Sequence, residues 1–401
     1  MNKQVSCDIF CSVVDNYGDI GVCWRLARQL AHEHGVAVRL WVDDLASFRK
    51  LCPEVDVQLA QQHCREMEVR HWSTQFPEVE PAQLVIEAFA CKLPESYVAA
   101  MAVQQPAWIN LEYFSAEDWV EGCHKLPSPH PSLPLVKYFF FPGLTPKTGG
   151  LLLESDLLAR RDAFYRDAAQ QQAFWQTMGL EMPAADTLKV SLFAYENSAL
   201  NGLFDTWTNG TQAVLCLVPE GRILPQVTAF FGQTQATPGD MFRCGNLQVR
   251  VLPFVEQERY DELLWACDIN FVRGEDSCVR AQWAGKPFVW QIYPQHDGVH
   301  LQKLRAFMTR YCAGLPPDAA QALHGLWEIW NSMPLVLSAV EGAGQAASTN
   351  SGQAWDDFWK HRPILLQHAH DWAQKLSHNN LALNLLDFFS SIEGASKNSS
   401  F

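Results

Sequence analysis

No run of about 18 consecutive apolar residues occurs in the chain, and the longest candidates, Val136–Phe141 and Leu151–Leu153, are far too short to cross a bilayer. The start lacks a charged segment followed by an apolar one, so no export signal is read and a cytosolic protein without a membrane partner is expected. Positive charge is scarce. The 30 Lys and Arg residues face 44 Asp and Glu, a net charge of −14. That balance argues against a general nucleic-acid binder, which needs a basic face. It leaves room for a protein partner that carries a basic patch. None of the twelve cysteines forms a C-x-x-C pair, and most lie inside apolar runs. Neither a disulfide framework nor a zinc site is expected, and no metal is called for. The G-x-G-x-x-G fingerprint is missing too, which disfavours a dinucleotide dehydrogenase.

What is present is a globular composition, 48% apolar and 18% charged over 401 residues. That length suits two domains, each with its own core. Apolar residues Ile9, Phe10, Cys11, Val13 and Val14 lead into Asp15-Asn16-Tyr17-Gly18-Asp19-Ile20-Gly21. A helical pattern on Val22, Leu26, Ala27 and Leu30 follows. This strand–turn–helix opening is where an α/β fold presents its first ligand-facing loop. Gly18 and Gly21 permit tight turns and a close backbone approach. Asp15 and Asp19 put negative charge where a phosphate cradle would want none. The loop therefore reads as the holder of a catalytic or cation-binding carboxylate; turn formation and helix capping are the plainer alternative.

Further strands are predicted at 36–42, 84–88 and 108–111, ending near Glu87, Asn110, Glu112 and Tyr113, with a short one at 138–141. Asp15, Asp19, Glu87, Glu112 and Tyr113 would then surround one crevice. A helical linker is predicted from Leu151 to about Met182. A second α/β series follows, with strands at 188–195, 213–218, 247–252, 268–272 and 287–292. Residues 341–352 read as a flexible surface loop, before helices near 353–376 and 380–392 and a disordered tail. The expected architecture is α/β: two Rossmann-like domains facing each other across a central cleft.

The stretch Phe271-Val-Arg-Gly-Glu-Asp-Ser277 carries the chemistry of the second half. Gly274 permits a sharp turn, and Asp276 or Ser277 can cap the helix that follows. Arg273 beside the helix's free N–H groups makes a diphosphate site, and Glu275 is placed to hold a sugar hydroxyl or a ribose. Phe193 and Tyr195 leave their strand on one face, and Phe254 ends another strand, where it could stack on a base. An ordinary capped helix and core aromatics remain the plainer alternative. His296, in the turn after the last strand, reads as a possible phosphate contact or as a solvated histidine.

The segment I-F-C-S-V-V-D-N-Y-G-D-I-G-V-C-W-R-L-A-R-Q-L (9–30) closely resembles the EarP family, bacterial protein-arginine rhamnosyltransferases that modify translation elongation factor P. The likeness continues through I-N-L-E-Y-F-S-A-E (109–117), F-F-F-P-G-L-T-P-K-T-G-G-L (139–151), S-L-F-A-Y-E-N (191–197) and F-V-R-G-E-D-S (271–277). It implies a GT-B fold and inverting transfer of L-rhamnose from TDP-β-L-rhamnose to one arginine of that factor. Activation of the factor for ribosomes stalled at polyproline would follow. The family's two essential aspartates fall on Asp15 and Asp19, and its essential glutamate on Glu275. Its donor contacts fall on Phe193, Tyr195, Phe254, Arg273, Gly274, Asp276 and Ser277. Asp19 would be the base and Asp15 would shape the loop or grip the guanidinium, in an acceptor loop that also contains Asn16, Tyr17, Gly18 and Gly21. The implied acceptor domain is 1–155, completed by a helix at 379–395, and the implied donor domain is 156–378. A small-molecule glycosyltransferase or a sugar-nucleotide epimerase of the same fold is the alternative, and a non-enzymatic nucleotide-sugar sensor a weaker one.

Overall fold

The computed structural model describes residues 4–14, 17–295, 297–332 and 343–398. The chain divides into two compact units, Met1–Ser155 with Leu376–Phe401, and Asp156–Lys375. Each is built on one mostly parallel sheet, so the class is α/β with two Rossmann-like units.

The first unit contains β1 (Ser6–Cys11), β2 (Ala37–Val42), β3 (Gln61–Cys64), β4 (Met67–His71), β5 (Leu84–Ala88), β6 (Ala107–Leu111), β7 (Pro127–Pro129) and β8 (Val136–Phe140). Their spatial order is β3-β4-β2-β1-β5-β6-β8-β7. Only β3 with β4 and β7 with β8 pair antiparallel, at the two edges. Every residue of β5 and β6 is buried, because helical crossovers cover both faces of a parallel sheet. Polar residues inside such strands need partners. Asp8 takes both nitrogens of the Arg39 fork, at 2.5 and 2.6 Å, and accepts from Tyr97 Oη and Ala82 N.

The second unit contains β9 (Leu188–Leu192), β10 (Val214–Pro219), β11 (Met241–Cys244), β12 (Leu247–Leu252), β13 (Ile269–Arg273) and β14 (Phe288–Gln291). Their order is β11-β12-β10-β9-β13-β14, with only β11 and β12 antiparallel. A buried two-pronged pair, Arg280 with Asp261 at 2.8 and 2.7 Å, joins helix Asp276–Ala284 to helix Gln257–Ala266.

Several elements differ from the sequence expectation. The linker is two helices, Leu157–Arg166 and Ala168–Thr177, because Asp167 caps the second through the N–H groups of Ala169 and Gln170. Residues 343–352 are not a loop but the start of helix Ala343–Lys360, anchored by Trp355 on Trp207 with ring centroids 5.1 Å apart. Residues 341 and 342 lie outside the described part. That helix stops before Arg362–Leu376, where Pro363 cannot continue an existing helix. Helix Leu381–Asn398 runs on into the expected disordered tail. Helices Val299–Tyr311 and Pro317–Trp330 have no counterpart in the sequence reading.

The returning end of the chain is stitched into the first unit. Leu151 N donates to Asn379 O at 3.1 Å and Leu381 N to Leu151 O at 2.9 Å. Phe388 then packs edge-on against Tyr138. The close backbone approach depends on Gly150, whose φ is 78° and whose missing Cβ would overlap the Asn379 carbonyl. Gly150→Ala should therefore destabilise the first unit by about 2–4 kcal/mol, read by urea denaturation. A change below about 0.5 kcal/mol would contradict this role.

Candidate active site

Both clusters of candidate residues sit where their sheets reverse direction. The chain winds from β1 through β2 to β4, then returns to β5 and proceeds the opposite way through β6 to β8. The loops leaving β1 and β5 at their carboxyl ends consequently diverge, which opens a crevice. The second unit repeats this between β9 and β13.

After β1 the chain is pinned from both sides. Ser12 Oγ and Val13 N donate to the Asp43 carboxylate at 2.6 and 2.9 Å, and Val14 N donates to Asp19 Oδ2 at 2.8 Å. Helix Gly18–His34 begins earlier than the sequence suggests, with Gly21 N donating to Tyr17 O at 2.9 Å. Gly18, Asp19 and Gly21 therefore lie in its first turn, and neither glycine has a positive φ. They are helical residues, not formers of a tight loop. Tyr17 is the residue that enters the helix. Asp15 and Asn16 lie outside the described residues.

Asp19 is 2% exposed, and the amino end of its own helix favours a carboxylate there. Its Oδ1 accepts from Tyr113 Oη at 3.0 Å. Of the other expected crevice residues, Glu87 is diverted. It is buried, and its carboxylate takes Lys137 Nζ and Trp108 Nε1, each at 3.1 Å, and Lys92 N at 3.3 Å. A buried carboxylate so occupied holds strands together and does not face a ligand. Glu112 accepts from Asn110 Nδ2 at 2.5 Å.

The segment after β5 was not singled out in the sequence. Phe89, Ala90 and Lys92 have φ of 56°, 54° and 55°, a region that costs a residue with a side chain about 1–3 kcal/mol. The Phe89 ring stacks on Tyr113, centroids 4.3 Å apart and planes at 16°.

In the second unit the strand expected at 188–195 ends at Leu192. Phe193 N still reaches Phe271 O, but Tyr195 N turns to Gln291 Oε1 at 2.8 Å, so the ladder stops. Both rings then grip Arg273. Its guanidinium carbon lies 4.5 Å from the centroid of each. Tyr195 is buried and Phe193 half-buried, and both rings pack on the guanidinium. Arg273 Nη1 is buried without a hydrogen-bond acceptor. Leaving a buried donor unsatisfied costs about 1–3 kcal/mol, more for a charged group. An anionic oxygen would remove that cost.

Gly274 makes the turn with φ of 62°, and Trp290 Nε1 holds its carbonyl at 2.6 Å. Helix Asp276–Ala284 starts directly after, with Glu275 half-buried at the preceding position. Neither Asp276 nor Ser277 is its cap. The Ser277 hydroxyl turns back instead, accepting from Arg273 N at 3.1 Å and donating to Arg273 O. That choice closes the strand–helix turn and leaves the helix's first N–H groups to other acceptors. Phe254 stands apart from this group. It follows β12, two strands away from β9, or about 10 Å in the sheet. It is half-buried, with its N–H on Glu220. His296 lies outside the described residues.

The sequence reading missed Phe89 and Trp290, and gave Asp43 and Asn110 no role beyond marking strand ends. Asp43 and Asn110 stand at strand ends, a usable signal; the left-handed Phe89 leaves no trace in a stretch without glycine.

Residues 7–390 match the model of the Elongation-Factor P (EF-P) rhamnosyltransferase EarP family. This chain belongs to the EarP family. A protein-arginine rhamnosyltransferase of Pseudomonas putida is 51% identical over 386 residues, 95% of this chain and 98% of its own. Another, from Pseudomonas aeruginosa, is 46% identical over 96% of this chain and 99% of its own. A solved EarP structure, described as the structural basis for EarP-mediated arginine glycosylation of translation elongation factor EF-P, superposes with a TM-score of 0.67. It is 38% identical and covers 97% of this chain and 99% of its own. The two Rossmann-like units are of the kind that make up a GT-B glycosyltransferase.

Among the described residues, no group of three or more His, Cys, Asp and Glu could hold a metal ion. No described helix is long and apolar enough to cross a membrane. Loss of the Ser277 hydroxyl strands the buried Arg273 N–H. In this EarP-family chain Ser277→Ala should cost about 1–3 kcal/mol by urea denaturation. Unchanged stability would show that the turn does not depend on the hydroxyl.

Proposed function

We propose that this chain transfers L-rhamnose from TDP-β-L-rhamnose to a single arginine of translation elongation factor P, with inversion at the sugar carbon. It is a protein-arginine rhamnosyltransferase of the EarP family, a glycosyltransferase. The donor assignment is carried by one observation. Arg273, held between Phe193 and Tyr195, keeps a buried N–H without an acceptor beside the start of helix Asp276–Ala284. Positive charge and open donors at one point favour a diphosphate. Gly274, Asp276 and Ser277 shape that turn, Glu275 takes a sugar or ribose hydroxyl, and Phe254 stacks on the base farther along the sheet.

The second unit is thus the donor side, and the first unit, completed by its C-terminal helix, receives elongation factor P. The reading places the work in the cytoplasm, and the product in the rescue of ribosomes stalled at polyproline.

A guanidinium is a poor nucleophile, because its lone pairs are delocalised and its pKa exceeds about 12. Asp19 cannot strip it outright. As a guanidine nitrogen forms its bond to the anomeric carbon and the bond to the diphosphate oxygen breaks, that nitrogen loses basicity. Asp19 then accepts its proton. Both of its oxygens already hold donors, Val14 N and Tyr113 Oη, so its orientation is set beforehand. Asp15 grips the rest of the guanidinium; with Asn16 and Tyr17 it precedes the helix whose first turn, containing Gly18 and Gly21, completes the acceptor side. Arg273 and the helix start offset the charge of the departing TDP, a role that calls for neither metal nor cofactor.

Incubation with TDP-rhamnose and elongation factor P, followed by mass spectrometry, should show one deoxyhexose on one arginine. An unmodified factor with an altered donor would overturn this in favour of a small-molecule transferase or an epimerase. Asp19→Asn should bind TDP-rhamnose normally and lose about 100-fold or more in turnover. Near-normal transfer by that variant would remove Asp19 as the base. Glu275→Ala should weaken TDP-rhamnose binding about tenfold by calorimetry; unchanged affinity with collapsed turnover would reassign it to positioning the reacting centre.

A further inference from the structure

We infer that Phe89 is a positioning residue, holding the Asp19 carboxylate in place through the ring and hydroxyl of Tyr113. The inference rests on the reading of Asp19 as the base.

The segment after β5 adopts a conformation that glycine would take at little cost, yet it contains none. Phe89, Ala90 and Lys92 all have positive φ. Surrounding groups hold it there. Phe89 N donates to Leu111 O at 2.7 Å, Ala90 N to Asn110 Oδ1 at 3.1 Å and Cys91 N to Ala88 O at 3.2 Å. Lys92 N donates to Glu87 Oε1 at 3.3 Å. Such over-determination of a strained backbone is a mark of functional segments.

The conformation delivers the Phe89 ring. Adjacent parallel strands β5 and β6 end at Ala88 and Leu111, and the rings of Phe89 and Tyr113 meet just beyond those ends. The stack is half-exposed at the carboxyl edge, unlike the core rings Phe10, Trp41 and Tyr97. Simple core filling does not explain a strained residue at that edge. From the far side of the stack, Tyr113 Oη donates to Asp19 Oδ1 while Val14 N holds Oδ2. A carboxylate fastened at both oxygens cannot rotate. One of the two fastenings is an aromatic side chain whose tilt is set by Phe89.

The test measures kcat and KM of rhamnosyl transfer to elongation factor P. Phe89→Leu keeps apolar bulk and loses the stack. It should lower kcat about tenfold, with KM for TDP-rhamnose and the melting temperature little changed. Phe89→Tyr should restore most of the rate. Tyr113→Phe should lose a similar amount, again in kcat and not in KM for TDP-rhamnose. The double variant Phe89→Leu, Tyr113→Phe should be no worse than Tyr113→Phe alone, because both act through one link. A wild-type kcat in Phe89→Leu, or losses that multiply in the double variant, would overturn the inference. Phe89→Met serves if the leucine variant does not fold. Asp19→Asn separates the two claims. If it is inactive while Phe89→Leu is normal, only the role of Phe89 fails; if it is active, the reading of the base fails and this inference with it.

Discussion

The reversal of strand order in each sheet is the constraint on which the candidate sites depend. A right-handed crossover from β1 to β2 carries the chain to one side, and the later step from β5 to β6 carries it to the other. The loops after β1 and β5 must then part, and nothing in the sheet fills the gap. Asp19 and Phe89 stand on either side of it. The same reversal between β9 and β13 separates the exit of Phe193 and Tyr195 from the turn at Gly274. The side chains differ, but the vacancy they line follows from connectivity alone.

Within these gaps the two units carry opposite charge. In the first, the helix start is already met by the chain's own carboxylate, Asp19, and a further anion would be repelled. In the second, the Ser277 hydroxyl closes the strand–helix turn on the Arg273 backbone, and Arg273 places a cation beside the helix start. The difference comes down to which side chain answers the helix dipole.

Much of this was legible in the sequence, for identifiable reasons. Continuous apolar runs such as those of β5 and β13 mark strands covered on both faces, and their positions were read to within a residue or two. The R-G-E-D-S turn was visible because Gly274 needs its positive φ. The errors have physical causes as well. Gly18 and Gly21 looked like turn residues, but glycine is also tolerated in a first helical turn, here closed by Gly21 N on Tyr17 O. Glu87 looked available at a strand end, but Lys137 arrives from β8, a partner far away in sequence. The Ala- and Ser-rich stretch from 343 has little apolar signal of its own, and Trp355 and Phe358 supply the docking later in the helix.

The two sites share a further property that sequence patterns do not record. Each keeps an arrangement that is unfavourable in isolation: left-handed residues at 89, 90 and 92 in one, an unsatisfied guanidinium N–H at Arg273 in the other. Neighbouring groups hold both in place. Backbone and side-chain acceptors tie each N–H from Phe89 to Lys92, and two aromatic faces confine Arg273. The favourable packing of a whole parallel sheet offsets such local costs, which a loop on its own could not sustain. In return the polar groups are oriented before any ligand arrives. A transferase acting on a weak nucleophile gains most from that, since less of its binding energy goes into ordering the site during the reaction.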